Sequence, residues 1–148
     1  INKGGRLIMN LARAIEIAAS AHRNQVDKGG NPYILHPIRV MMSLNSADEK
    51  IVGILHDVVE DSDEWNFDRL REEGFEEHIL SALKSVTKAT EAEDYQQFIK
   101  RAGHNKIGRT VKIADIRDNL DVTRISRLED KDLKRINKYK DALTKLES

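Results

Sequence analysis

No cysteine occurs among the 148 residues of the chain. Its absence excludes a disulfide scaffold, a thiolate zinc site and a cysteine nucleophile, and leaves nitrogen and oxygen donors for any metal. Only five histidines are available for that role. Proline is scarce, at two residues, and aromatic residues make up 5%. With few β-branched runs, this composition disfavours a sheet protein. An excess of one charge is also missing, since 25 Lys and Arg balance 25 Asp and Glu. Zero net charge argues against a nucleic-acid partner while leaving room for a local basic pocket. No apolar run approaches the roughly 20 residues that cross a bilayer, so no membrane partner is expected. Ile1-Asn2-Lys3-Gly4-Gly5-Arg6 lacks the apolar core of a signal peptide. Residues 1–6 read as a disordered or added end, and the rest as one cytoplasmic domain within 1–148.

What is present is helical periodicity. Leu7, Leu11, Ala14, Ile15 and Ala18 recur at three- and four-residue spacing. Gly29-Gly30-Asn31-Pro32 breaks that helix. His36-Pro37 then sets proline in the first turn of a second helix with Ile38, Val40, Met41 and Leu44 on its apolar side. Asp48 to Asp61 is apolar on most sides, which predicts a central helix. Asn66 caps a short helix ending near Gly74. Amphipathic stretches follow at Glu76–Lys88, Asp94–Ala102, Ile107–Leu120 and Asp130–Leu146. The fold class is all-α, a bundle of about seven or eight helices.

The chemistry concentrates in Ile54-Leu55-His56-Asp57-Val58-Val59-Glu60-Asp61. Read as one helix, this segment projects His56, Asp57, Glu60 and Asp61 over one broad edge of an apolar element. Burying three carboxylates and an imidazole is costly without a cation or a polar cavity. The alternative is a solvated helix end, against which the flanking Leu, Ile and Val residues argue. Tyr33-Ile34-Leu35-His36-Pro37 starts another helix with an imidazole, a feature more often structural than ligating when alone. Val111 to Asn119 places Lys112, Asp115 and Asn119 one turn apart, which is equally compatible with a simple Lys–Asp pair.

Taken together, His36, His56-Asp57 and the distant Asp115 resemble the HD superfamily of metal-dependent phosphohydrolases. Ala21-His22-Arg23-Asn24-Gln25, Pro32-Tyr33-Ile34-Leu35-His36-Pro37, Val86-Thr87-Lys88 and Lys112-Ile113-Ala114-Asp115 narrow the likeness. They are similar to the hydrolase domain of the RelA/SpoT family of the stringent response, in its stand-alone small alarmone hydrolase form. The resemblance runs from about Leu11 to Tyr139 and implies an HD-domain helical bundle. It implies that His36, His56, Asp57 and Asp115 bind one divalent metal, typically Mn²⁺. Two imidazoles and two carboxylates without sulfur also suit Fe²⁺ or Zn²⁺. Glu60 and Asp61 match the family's acidic pair, read here as positioning and deprotonating the attacking water.

The implied substrate is guanosine tetra- or pentaphosphate, which loses its 3′-pyrophosphate. Lys28 matches a basic residue suited to phosphate, and Asn119 an asparagine that contacts the nucleoside. Arg135 and Tyr139 resemble a pair lying over the substrate, although a solvated cation and a core-edge tyrosine explain them equally well. Lys88 and Lys112 are further candidates for phosphate charge, and His22 for support of the site. His78 and His104 read as ordinary surface residues. Two positions depart from the pattern. Asp27 stands where an arginine usually packs against guanine, and Asp118 replaces the histidine of a His-Asn pair. Both leave the implied ligands intact, but base specificity is open. The alternatives are an HD phosphohydrolase acting on another nucleotide or phosphate ester, and a non-catalytic nucleotide-binding module.

Overall fold

The computed structural model describes residues 3–148, with side chains from Leu11 onward. Residues 1–2 of the set-aside end, and the Leu7 side chain of the first apolar stripe, therefore lie outside the description. Among the described residues there are nine α-helices and no strand. One isolated bridge, between Val26 and Pro32, draws a loop together.

Helix α1 spans Lys3–Ala21 and α2 Leu35–Met42. Between them, Asp27 donates its N–H to Asn31 O at 2.8 Å and Tyr33 to Gln25 O at 2.9 Å. Gly30 takes φ +81°, a left-handed conformation that glycine adopts without strain. The inner face of α1 is carried by Ala14, Ile17 and Ala18, while Ile15 falls on the outer edge. Its predicted place in the buried stripe shifts to Ile17.

Helix α3, Ala47–Leu55, is the centre predicted from its composition: Ile51 to Leu55 are buried without interruption. It packs against α1 and α2, and also meets two later helices, α6 (Glu77–Ser85) and α8 (Lys106–Asn119). A capping box starts α3, with Ser46 Oγ accepting from Glu49 N and Glu49 Oε1 from Ser46 N, both at 3.1 Å.

The predicted helix over 48–61 does not run through. It stops at Leu55, and a separate turn, α4 (Val58–Asp61), follows the His56-Asp57 corner. The cause is local. His56 Nδ1 lies 2.6 Å from Gly53 O, the carbonyl that the Asp57 N–H would use in a continued helix. Asp57 sits at φ −105°, ψ −2°, the sparsely occupied region where many active-site residues are found. This break divides the predicted central helix into α3 and the single turn α4.

Helix α5 (Phe67–Glu72) has the predicted cap, Asn66 Oδ1 accepting from Arg69 N at 2.8 Å, and Gly74 beyond it takes φ +105°. Helices α7 (Tyr95–Gly103), α8 and α9 (Asp130–Glu147) complete the bundle, with a short 3₁₀ turn over Val122–Arg124 before α9. Gly108 lets α8 approach α6 closely: a Cβ there would fall 1.9 Å from Ser85 Oγ. A second apolar cluster, built on Ile99, Ile116, Ala142 and Leu146, seats α9 on α7 and α8. Leu133, near the start of α9, is exposed.

Candidate metal centre

Three elements meet at one buried spot. Helix α2 supplies His36, the corner after α3 supplies His56 and Asp57, and α8 supplies Asp115. His36, His56 and Asp115 each offer a donor atom within 4.8 Å of the others. His36 Nε2 lies 3.0 Å from Asp115 Oδ1 and 3.9 Å from Asp57 Oδ2. His56 Nε2 lies 3.1 Å from Asp57 Oδ2 and 3.4 Å from Asp115 Oδ1. Neither contact has hydrogen-bond geometry, so His56 Nε2 is a buried nitrogen without a hydrogen-bond partner. A buried polar atom of that kind calls for an explanation. Two imidazole nitrogens facing two carboxylates fit a divalent cation with mixed N/O ligands.

The electrostatics point the same way. Burial lowers the proton affinity of His56, but Asp57 and Asp115 outweigh it and hold its pKa well above the usual imidazole value. Burial would raise the Asp57 carboxyl; His56 overcomes that and brings it down to about 2. Asp115 is likewise carried far below the carboxylate range, against burial, chiefly by Lys112. Concentrated negative charge in a dry site favours a cation among these groups.

The acidic pair divides. Glu60 Oε1 accepts from the backbone N–H of Lys88 at 2.6 Å, bracing the segment after α6. Asp61 turns toward the centre, its Oδ2 3.7 Å from His22 Nδ1. Burial, with Asp57 and Glu60 beside it, pushes the Asp61 carboxyl up to about 6. The single edge expected for His56, Asp57, Glu60 and Asp61 is thus replaced by two directions, Glu60 toward the Lys88 backbone and Asp61 toward His22. His22 is buried, and its Nδ1 lies 2.6 Å from Gln25 Oε1.

A cavity of about 470 Å³ opens beside the cluster. Lys28, Asn119, Arg135 and Tyr139 line it, along with His36 and Tyr33. Asn119 Nδ2 also donates to Asp115 Oδ1 at 3.1 Å, and Arg135 donates to Asp132 Oδ1 at 2.8 Å. Lys88 and Lys112 lie outside this lining. Lys112 is buried, donates to Asp115 Oδ2 at 2.8 Å and stands 4.7 Å from the centroid of Phe98. Its charge serves Asp115 rather than the open cavity. Asp27 lines the cavity, but its Oδ1 accepts from Gly29 N at 2.8 Å and Asn31 N at 2.9 Å, closing its own loop. His78 pairs with Asp48 at 2.9 Å on the surface, and His104 caps the end of α7.

Some residues at the site escaped the sequence reading. The Tyr33 hydroxyl donates to Asp57 Oδ2, fixing that carboxylate. Arg39 and Arg124 both reach Asp118, which in turn touches His36. Tyr33 and Arg39 stand three residues either side of His36, a spacing that signals proximity along one face. Their partners lie 24 and 79 residues away, beyond any local signal.

A bundle that gathers two histidines and two aspartates from three elements defines a class of helical metal-site domains. Residues 14–136 match the HD domain family, and the chain belongs to it. It is 38% identical over 97 residues to a guanosine-3′,5′-bis(diphosphate) 3′-pyrophosphohydrolase of Borreliella burgdorferi, covering 63% of this chain and 14% of that one. To the protein of the same description from Aquifex aeolicus it is 30% identical over 121 residues, covering 74% of this chain and 17% of that one. The chain therefore spans less than a fifth of these relatives. A solved structure, reported under "A metazoan ortholog of SpoT hydrolyzes ppGpp and plays a role in starvation responses", superposes with a TM-score of 0.72. It is 24% identical and covers 90% of this chain and 85% of its own, a likeness of fold. Among the described residues no helix is long and apolar enough to cross a membrane.

Proposed function

We propose that the protein hydrolyses guanosine 3′,5′-bis(diphosphate)-type nucleotides in the cytoplasm, releasing the 3′-pyrophosphate. The convergence of His36, His56 and Asp115 within 4.8 Å beside the cavity carries this reading. His36, His56, Asp57 and Asp115 would hold the divalent ion, which we assign as Mn²⁺. Such an ion offsets charge on phosphate oxygens and acidifies water.

The remaining work falls to the protein. Asp61, with its carboxyl at about 6, is ionised at neutral pH yet basic enough to take a proton from the attacking water. Water adds to the phosphorus bonded to the 3′ oxygen, the P–O3′ bond breaks, and the 3′ oxygen takes up a proton. Tyr33 and Lys112 hold the two aspartates in place by hydrogen bonds. Lys28 and Arg135 line the cavity as counter-charges for phosphate, and Asn119 and Tyr139 face the nucleoside. Glu60 supports the same corner through the Lys88 backbone.

A second reading keeps the chemistry and relaxes the base. It rests on Asp27, whose position offers a carboxylate, with one oxygen engaged by its own loop, in place of a guanidinium that could stack on guanine. Incubation with Mn²⁺ and a nucleotide panel, with pyrophosphate and orthophosphate measured separately, tests both. Pyrophosphate from 3′-diphosphorylated guanosine alone supports the first reading, and pyrophosphate from other 3′-diphosphorylated nucleosides as well supports the second. No turnover alongside measurable nucleotide binding would overturn both. Asp61→Asn should lower kcat about 10²- to 10⁴-fold. Glu60→Gln, which keeps an acceptor for Lys88 N, should cost far less.

A further inference from the structure

The two imidazoles of the centre are held by different means. His56 Nδ1 faces a backbone carbonyl, Gly53 O, at 2.6 Å. His36 Nδ1 faces a carboxylate, Asp118 Oδ2, also at 2.6 Å, from a residue 82 positions along the chain. That carboxylate is itself clamped. Arg39 Nε donates to Asp118 Oδ1 at 2.8 Å and Arg39 Nη2 to Oδ2 at 3.1 Å. Arg124 Nη2 donates to the Asp118 carbonyl at 2.7 Å and comes within 3.5 Å of Oδ2. Helix α2 and the 3₁₀ turn thus close on one side chain of α8.

We infer that Asp118, anchored by Arg39 and Arg124, is a positioning residue that keeps a proton on His36 Nδ1, so that Nε2, which meets Asp115 Oδ1 at 3.0 Å, is the nitrogen given to an ion. This rests on the metal centre proposed above. A neutral imidazole carries one proton and can place it on either nitrogen, so a ligand needs an acceptor on its far side to fix the choice. A carboxylate does this more strongly than a carbonyl, because a charge-assisted hydrogen bond is shorter and roughly twice as strong. It also makes the ligating nitrogen more basic, and removing such a partner typically costs about 10- to 100-fold in metal affinity. Asp118 could not serve alone, since a poorly exposed carboxylate needs its own partner. Arg39, one turn after His36 on α2, provides it and holds the carboxylate by a two-pronged contact. The Asp118-Asn119 departure noted in the sequence therefore has an assigned role: a charged brace in place of a neutral ring, matched by an arginine on the facing helix.

Two measurements on the full chain test this. Long-range ¹H–¹⁵N correlation of metal-free, ¹⁵N-labelled protein, recorded above the pH at which His36 gives up its second proton, reports its tautomer directly. Nδ1–H is expected in the wild type, with a mixture appearing in Asp118→Asn and Asp118→Ala; a dominant Nε2–H form in the wild type would overturn the inference. Calorimetric titration with Mn²⁺ should show Asp118→Ala weakened about 10- to 100-fold. Asp118→Asn, which retains an acceptor oxygen, should fall between it and the wild type, and Arg39→Gln should weaken binding less than either. Wild-type Kd in all three variants would sink the positioning role and leave the metal centre standing. Failure of the wild type itself to take up Mn²⁺ would overturn the metal centre instead, with the tautomer measurement still deciding what Asp118 does to His36.

Discussion

The floor of the site and its rim are built on opposite plans. The floor is a meeting of helices: His56 and Asp57 follow a segment buried from Ile51 to Leu55, and Asp115 rises from α8 with Val111 and Ile116 buried beside it. Each of its four side chains is held by another group, Gly53 O for His56, Tyr33 for Asp57, Lys112 for Asp115 and Asp118 for His36. The rim is loop and surface. Lys28 sits in the connection between α1 and α2, and Arg135 and Tyr139 on α9, which is seated on the smaller of the two apolar clusters. Ions demand donors fixed to fractions of an ångström, whereas a large, charged, flexible substrate tolerates a rim that adjusts. Chemistry is placed where packing is densest, and selectivity where change is cheapest.

That contrast can be broken from either side. The largest effect should come from the floor: His56→Ala removes a proposed ligand, and activity should fall by at least about a thousandfold. Thermal unfolding without metal should change only moderately, and retained activity would refute the assignment. Ile54→Ala tests the packing beneath the ligands, with an expected loss of about 2–5 kcal/mol in chemical denaturation. On the rim, Lys28→Ala should raise KM about tenfold through one lost charge-assisted contact, with little change in kcat or Tm. The smallest effect should be that of Asp27→Ala, which gives up two backbone hydrogen bonds in an exposed loop. About 1 kcal/mol of stability is expected there, read by denaturation. A collapse of metal binding in Lys28→Ala would erase the distinction between floor and rim.

Much of the floor is legible in the chain. The spacing around His36, the His56-Asp57 pair in an apolar run and the 3–4 spacing of Lys112, Asp115 and Asn119 are local signals, and each lands in one cluster. The corner at His56 is not legible by periodicity, because the apolar pattern continues unbroken through Val58 and Val59. One imidazole competing for the Gly53 carbonyl ends the helix there. Lys112 shows the same limit: its position on α8 fits either a pocket or a core, and only the packing of Phe98 and Asp115 around it chooses.

Composition and periodicity by themselves determined a cysteine-free, all-helical domain whose only strong metal donors are histidine and carboxylate. They also determined which short segments carry those donors, since helix spacing and turn residues act over three or four positions. Tertiary structure alone decided that Glu60 reaches the Lys88 backbone, that Asp61 comes beside His22, and that Arg39 and Asp118 meet 79 residues apart. Those outcomes depend on which groups compete for one buried hydrogen-bond partner. That competition is settled in space, by desolvation and geometry, and leaves no periodic trace along the chain.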